Sequence, residues 1–333
     1  MKFCPVLVVA LLSIQAFDTQ ACALQASDRA WLDRSVKGWV ATRTDLLEAK
    51  APAAQDAIVF DEHCELRSVE AMLTGQSRWT PSLLLGNSIR VGRQNIPLGV
   101  VSATVGDADG TRFVMSVPSI WAKANVPPGD IGLENLMSAV MMHEATYVFQ
   151  MNTYGKEIQF LQTANRLSDE QFNDDAIQDR FQGNPEFARS IERETELFFA
   201  AASADDKGEA LRLARLARAT MKERAEKYYI GDQAYQVRAE DLWLTMEGSA
   251  QWAGYRWLQL PRAQEGAGAS EADAMRGFGK RGKSWTQLLG LAITLSVDRL
   301  DGNSWKRHVF GDGRQTILQI LDQSIARKTA TLE

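Results

Sequence analysis

One change of periodicity restricts the fold of this chain more than any other feature. From Ala57 to about Ala122 the apolar residues come in short β-prone runs. These are Ile58-Val59-Phe60, Ser82-Leu83-Leu84-Leu85, Ile89-Arg90-Val91, Leu98-Gly99-Val100-Val101 and Arg112-Phe113-Val114-Met115-Ser116-Val117. Gly86-Asn87, Gly92, Gly106 and the turn Asp107-Ala108-Asp109-Gly110 separate them, which predicts a small antiparallel sheet. From Leu133 onward the spacing is helical: Leu136, Val140, His143, Tyr147 and Met151 fall on one stripe. Further helices are expected from about Pro185 to Ala202, Lys207 to Tyr229, Ala234 to Leu258, Trp285 to Asp298 and Thr316 to Ala326. One more opens the chain, from Leu24 to about Lys50, and Ala51-Pro52-Ala53-Ala54 breaks it. Strands followed by helices predict an α+β fold, predominantly helical, with the small N-terminal antiparallel sheet packed against a helical body. Val126-Pro127-Pro128-Gly129-Asp130 is a loop in which Asp130 is placed to cap the following helix, and Gln264 to Gly282 is expected to be a mobile loop.

The N-terminus reads as an export leader. Met1-Lys2 is followed by an apolar run from Phe3 to Phe17 and then Thr19-Gln20-Ala21-Cys22-Ala23, the pattern of a secretory signal peptide cut after Ala23. Gln15 and Asp18 interrupt the run too early for a membrane span. Residues 24–333 then read as one domain, with the first helix and sheet over 24–129 and the helical body over 130–333. Lys2 and Asp18 leave together, so the net charge stays at −5, which argues against a nucleic-acid or anionic-membrane surface. Of three cysteines, Cys4 and Cys22 lie in the leader. A mature chain holding only Cys64 has no intrachain disulfide and depends on its core, and 45% hydrophobic residues suffice for one. The expected location is periplasmic or secreted.

The chemistry concentrates in Met141-Met142-His143-Glu144-Ala145-Thr146-Tyr147-Val148-Phe149-Gln150. In the motif H-E-x-x-H, two histidines one helical turn apart bind zinc and the glutamate between them acts as general base. Here the first histidine and the glutamate stand as His143 and Glu144, and Tyr147 occupies the second histidine's position. A second carboxylate lies far downstream, in Glu247-Gly248-Ser249-Ala250-Gln251-Trp252, on a helical face of small and apolar residues. A buried carboxylate there requires a cation or a hydrogen-bond partner.

These two segments resemble the zincin metallopeptidases whose third ligand is a glutamate, the gluzincin type. The tail Gly290-Leu291-Ala292-Ile293-Thr294-Leu295-Ser296-Val297-Asp298, Trp305-Lys306 and Ile317-Leu318-Gln319-Ile320-Leu321 resembles secreted bacterial zincin-like proteins. The resemblance implies a zincin-like fold, with His143 as first zinc ligand, Glu144 as general base and Glu247 as third ligand. It also implies hydrolysis of peptide bonds by zinc-activated water. Tyr147 departs from the pattern, because a phenol with an ordinary pKa near 10 is a poor ligand until the metal strips its proton. Three readings stay open: Tyr147 binds the metal, another histidine (His63 or His308) replaces it, or the chain is a pseudoenzyme that keeps the fold, has lost zinc and binds a peptide or protein partner. His308, Tyr154 and Tyr255 are the candidates for stabilising the reaction intermediate.

Other segments carry blander readings. Gly277-Phe278-Gly279-Lys280-Arg281-Gly282-Lys283-Ser284 matches the phosphate-binding pattern G-x-x-x-x-G-K-S, but a helix-prone polar stretch precedes it instead of a strand, so no nucleotide partner is expected. Asp61-Glu62-His63-Cys64 lacks metal-ligand spacing. Arg212, Arg215, Arg218, Lys222 and Arg224 read as the solvated face of a helix whose inner side is Leu211, Leu213, Leu216 and Met221. The tryptophans at 243, 252, 257, 285 and 305 read as core and cleft wall.

Overall fold

The computed structural model describes residues 22–49, 56–68, 72, 74, 78–84, 86–92, 94–107, 110–169, 171–281, 284–311 and 314–332. The leader up to Ala21 and the break at Ala51–Ala54 lie outside them. Among the described residues, no helix is long and apolar enough to cross a membrane.

The fold is α+β and mostly helical. Helix α1 (Ala26–Ala41) runs into a π turn at Thr42–Leu46. Among the described residues seven strands follow: β1 (Asp56–Phe60), β2 (Cys64–Ser68), β3 (Thr80–Leu83), β4 (Ser88–Val91), β5 (Gln94–Pro97), β6 (Ser102–Asp107) and β7 (Gly110–Ser116). Five make one sheet in the order β3-β2-β1-β7-β6, and β4 and β5 form a separate hairpin. The larger sheet is mixed, which corrects the expectation of an antiparallel one. Strands β1 and β7 pair in parallel, with Ile58 opposite Val114, because β2 to β6 intervene and the chain returns beside its first strand in the same direction. Leu98–Val101 is not a strand. The expected run there is displaced by β5 and β6 on either side.

The helical body comprises α2 (Pro118–Lys123), α3 (Leu133–Gln150), α4 (Lys156–Ala164), α5 (Ala176–Phe181), α6 (Pro185–Ser203), α7 (Lys207–Tyr228), α8 (Gln236–Gln259), the single turn α9 (Glu271–Ala274), α10 (Trp285–Asp301) and α11 (Ile317–Leu332). Helix α3 starts at Gly132 with no side-chain cap, and Asp130, expected to cap it, pairs instead with Arg276. On its far side, α1 clips onto it: Trp31 Nε1 donates to the Glu134 carbonyl at 3.2 Å and to Ser138 Oγ at 3.1 Å.

Helix α8 is buried around almost its whole circumference, as a helix with apolar or small residues on every side must be. Two glycines let neighbours reach its backbone. A Cβ at Gly248 would lie 2.3 Å from the Gly290 carbonyl carbon of α10, and one at Gly254 would lie 2.5 Å from the Ala139 carbonyl oxygen of α3. The helix carrying Glu247 is thereby held against the helix carrying His143.

Three further expectations are corrected. Gln264–Arg281 is not a loose loop: α9 and the π turn Met275–Gly279 pack inward, with Phe278 buried and Ile131 filling the space beside Gly277. Among the described residues no strand stands immediately before Gly277, where the turn α9 leads into the π turn. In the basic run of α7, Arg224 is buried, bonded to Glu194 at 2.8 and 2.9 Å and to Glu240 at 2.9 Å, whereas Leu216 faces outward. Cys22 and Cys64, expected to be parted by leader removal, are joined in a disulfide. The tryptophans 243, 252, 257 and 305 are core residues, as expected.

Candidate metal centre

The two segments singled out from the sequence meet between α3 and α8. His143 and Glu247 are both buried, and the imidazole Nε2 lies 3.3 Å from Glu247 Oε2. Oε2 nevertheless has no hydrogen-bond donor assigned to it among the described residues.

The other imidazole nitrogen explains the arrangement. His143 Nδ1 lies 3.0 Å from Gln251 Oε1, one turn past Glu247 on α8. Gln251 Nε2 in turn donates to the Phe278 carbonyl at 3.1 Å, so its oxygen is the end that faces His143. An oxygen acceptor at Nδ1 fixes the proton there. In the neutral ring Nε2 is then an acceptor, and it faces a carboxylate oxygen, which is also an acceptor. Two lone pairs at 3.3 Å repel unless a positive charge stands between them. Either a proton or a metal cation supplies it.

With a proton, the pair is an imidazolium–carboxylate couple. Burial opposes charge on His143, but the bond to Glu247, the Glu247 charge and the Glu144 charge outweigh it and raise the imidazole to about 9. With a metal, the observed spacing also fits. Two ligands about 2.0–2.1 Å from zinc at the tetrahedral angle lie about 3.3 Å apart. The spacing of the buried Oε2 and the oriented Nε2 is thus compatible with either occupant.

Glu144 points to the sheet. Its Oε1 accepts from Ser102 Oγ at 3.2 Å and its Oε2 from Thr104 Oγ1 at 2.9 Å, both from β6. Burial raises its pKa, opposed by the His143 charge and the two hydroxyls. Tyr147 lies one turn beyond His143 and is half-buried. Burial first, then the charges of Glu247, Asp174 and Glu144, raise its phenol well above the ordinary value, so it stays protonated. To serve as a metal ligand it would have to give up that proton to the metal.

Sequence reasoning missed four participants. Asp174, in the turn before α5, comes within hydrogen-bonding reach of Glu247, and burial followed by the Glu247 charge raises it to about 7. Nothing in Asn173-Asp174-Asp175 marks it, since only the tertiary fold brings it there. Ser102 and Thr104 sit on a strand too polar to have been expected. Gln251 was legible in principle, being four residues from Glu247 and so on the same helical face.

The other candidates lie elsewhere. His63 stands in the exposed turn before β2, and His308 accepts from Arg307 Nε at 3.1 Å. Tyr154 donates to the carbonyls of His308 and Gln315, and Tyr255 to Glu271. Neither histidine replaces Tyr147. Among the described residues, no group of three His, Cys, Asp or Glu side chains is gathered so as to hold a metal ion.

The site therefore sets an oriented imidazole beside the Glu247 carboxylate, with Asp174 close to Glu247 and Glu144 clamped to β6. The chain matches no protein-family model, no curated protein and no solved structure.

Proposed function

We propose that this chain is an exported, zincin-like hydrolase of the gluzincin type, acting on peptide bonds, in which His143 and Glu247 hold zinc and Glu144 is the general base. The observation that carries this reading is the facing pair of acceptors, His143 Nε2 and Glu247 Oε2, 3.3 Å apart with no donor on the carboxylate oxygen. Gln251 holds the imidazole in the tautomer a metal ligand needs. Glu247 and Glu144 act on the His143 imidazole and Asp174 acts on Glu247, so negative charge gathers there as pH rises and favours a divalent cation over a single proton. Zinc in such a site supplies a water of lowered pKa and polarises a carbonyl. Glu144 receives the water's proton once it releases one of its two hydroxyl partners. Two protein ligands are fewer than the three of an ordinary catalytic zinc site, so affinity is expected to be weaker than in that class.

The protonated Tyr147 favours a second reading. In it the imidazolium–carboxylate pair is complete with its proton alone, and the fold is a pseudoenzyme that binds a peptide or protein partner.

The zinc content of the purified exported protein separates the two, measured beside Glu247→Ala and Tyr147→His. Zinc in the natural chain that disappears in Glu247→Ala supports the hydrolase reading. No zinc in the natural chain with one equivalent in Tyr147→His supports the pseudoenzyme. No zinc in any of them removes the metal reading of these residues.

A further inference from the structure

The structure joins Cys22 to Cys64, with their Cα atoms 5.5 Å apart and 42 residues of separation. That spacing is within the range a disulfide needs. Cys64 opens β2 and is almost fully buried, opposite Leu83 of β3. The Cys22 sulfur also lies 3.2 Å from the Ser82 carbonyl oxygen of β3, and Leu24, two residues on, packs against the core before α1 begins. Cys22 thus belongs to the folded body and sits against the strand edge that carries its partner.

We infer that the mature chain keeps Cys22: processing of the leader falls no later than the Ala21–Cys22 bond, and Cys22 is then oxidised with Cys64 to tie the start of α1 to the sheet. The inference rests on the export reading. The sequence alone permits two cleavage bonds. Ala21 and Ala23 are the small residues required before a cut after Ala23, and Thr19 and Ala21 serve equally for a cut after Ala21. The first choice discards Cys22 and leaves Cys64 a single buried thiol. Only the second keeps the partner that the folded structure holds in place.

The oxidation is a thiol–disulfide exchange with a disulfide-bearing donor, of the kind that maintains an oxidising compartment. The thiolate of one cysteine attacks the donor disulfide, forming a mixed disulfide and releasing one donor thiolate. The second cysteine's thiolate attacks the bound sulfur, closing the Cys22–Cys64 bond and releasing the other donor thiolate. Two protons leave the protein thiols, and two electrons pass to the donor.

The test is to express the full chain in a Gram-negative bacterium, recover it from the periplasm, and determine its N-terminus and intact mass. Iodoacetamide is added with and without prior reduction. The expected result is an N-terminus at Cys22, no alkylation before reduction and two alkylated cysteines after it. An exported chain beginning at Leu24 overturns the inference and leaves export intact. Alkylation of both cysteines without reduction, or a lipid mass on Cys22, overturns it as well. A chain that stays in the cytoplasm with its leader attached overturns both the inference and the export reading. Cys64→Ser provides a second check: Cys22 should then be alkylated without reduction.

Discussion

Replacing Gly248 by alanine tests the packing that places Glu247. Its new Cβ would lie 2.3 Å from the carbonyl carbon and 2.4 Å from the carbonyl oxygen of Gly290 on α10. Ordinary contact begins near 3.4 Å, so the two helices must separate by about 1 Å, and no flexible side chain is there to yield. Overpacking of this kind costs about 1–3 kcal/mol, and backbone obstacles on both sides put the figure at the upper end. Alanine returns about 1 kcal/mol through its better helix propensity. The net loss is about 2 kcal/mol, or roughly 3 °C in melting temperature for a chain of this size. The assay is thermal and urea unfolding of Gly248→Ala, with Gly290→Ala as companion. The companion's Cβ meets Gly248 Cα at 2.7 Å and Leu244 O at 2.8 Å. Both single variants should be destabilised, and the double variant by less than their sum, because one separation of the helices relieves both clashes. A melting temperature for Gly248→Ala equal to or above that of the natural chain would refute the argument, since it would mean that α8 and α10 do not approach as described.

Three further outcomes are expected. Gln251→Leu removes the oxygen that fixes the His143 tautomer, and zinc affinity measured by titration should fall about 10- to 100-fold, as outer-shell changes typically do. Arg224→Met leaves the buried carboxylates of Glu194 and Glu240 without their cation; the loss should be about 3–5 kcal/mol in urea unfolding, and Glu194→Gln added to it should recover part of that. At alkaline pH the folded chain should lose stability. Burial and Glu240 raise Tyr229 well above 10, and burial and Glu271 raise Tyr255 to about 12. Both therefore keep their protons in the folded state after the unfolded chain has released its own, so the stability they confer is full below about pH 10 and falls from there upward. Urea midpoints at successive pH values should show this decline, and Tyr229→Phe should flatten it.

The helical body was legible because long amphipathic periods survive any tertiary arrangement. The ends of α6, α7, α8 and α10 lie within about three residues of expectation. The sheet was legible only where its strands are apolar on consecutive positions, as in β1 and β7. β2 escaped because Cys64-Glu65-Leu66-Arg67-Ser68 alternates and stands directly after a cluster of metal-capable side chains. β6, Ser102-Ala103-Thr104-Val105-Gly106-Asp107, has one large apolar residue and reads as a turn. Arg224 shows a signal that was present and overridden. The buried positions Ala210, Ala214, Ala217, Met221 and Arg224 recur at intervals of four, three, four and three, the inner stripe of a helix, but the charge run around Arg224 suggested solvent. At the site, His143, Glu144 and Glu247 were found through spacing and residue type. Asp174 was not, because a carboxyl group in a polar turn has no local sign of the distant glutamate it will face.

Both oxygens of Glu144 are occupied by hydroxyls of β6, the end strand of the larger sheet, and this bears on whether the glutamate can act as a base. Releasing one hydroxyl costs a net hydrogen bond, about 1 kcal/mol. General-base assistance contributes about 10²- to 10⁴-fold in rate, equivalent to roughly 3–5 kcal/mol. The clamp is therefore weaker than the gain, and it sets where the carboxylate rests without forbidding its use. Access is the stronger constraint. A cavity of about 980 Å³ is lined by Phe199, Arg256, Met275 and Leu295 and does not include His143, Glu144 or Glu247. At the site itself the half-buried side chains are Glu144, Tyr147 and Asp174, so a substrate of the proposed hydrolase would have to pass these three to reach the acceptor pair. A peptide that displaced Ser102 or Thr104 from Glu144 would release the base in the act of binding, and water and substrate would then arrive together. Under the proposed hydrolase reading, closure of this kind would make the site open to its substrate on binding, and β6 would take part in the chemistry beside the motif helix.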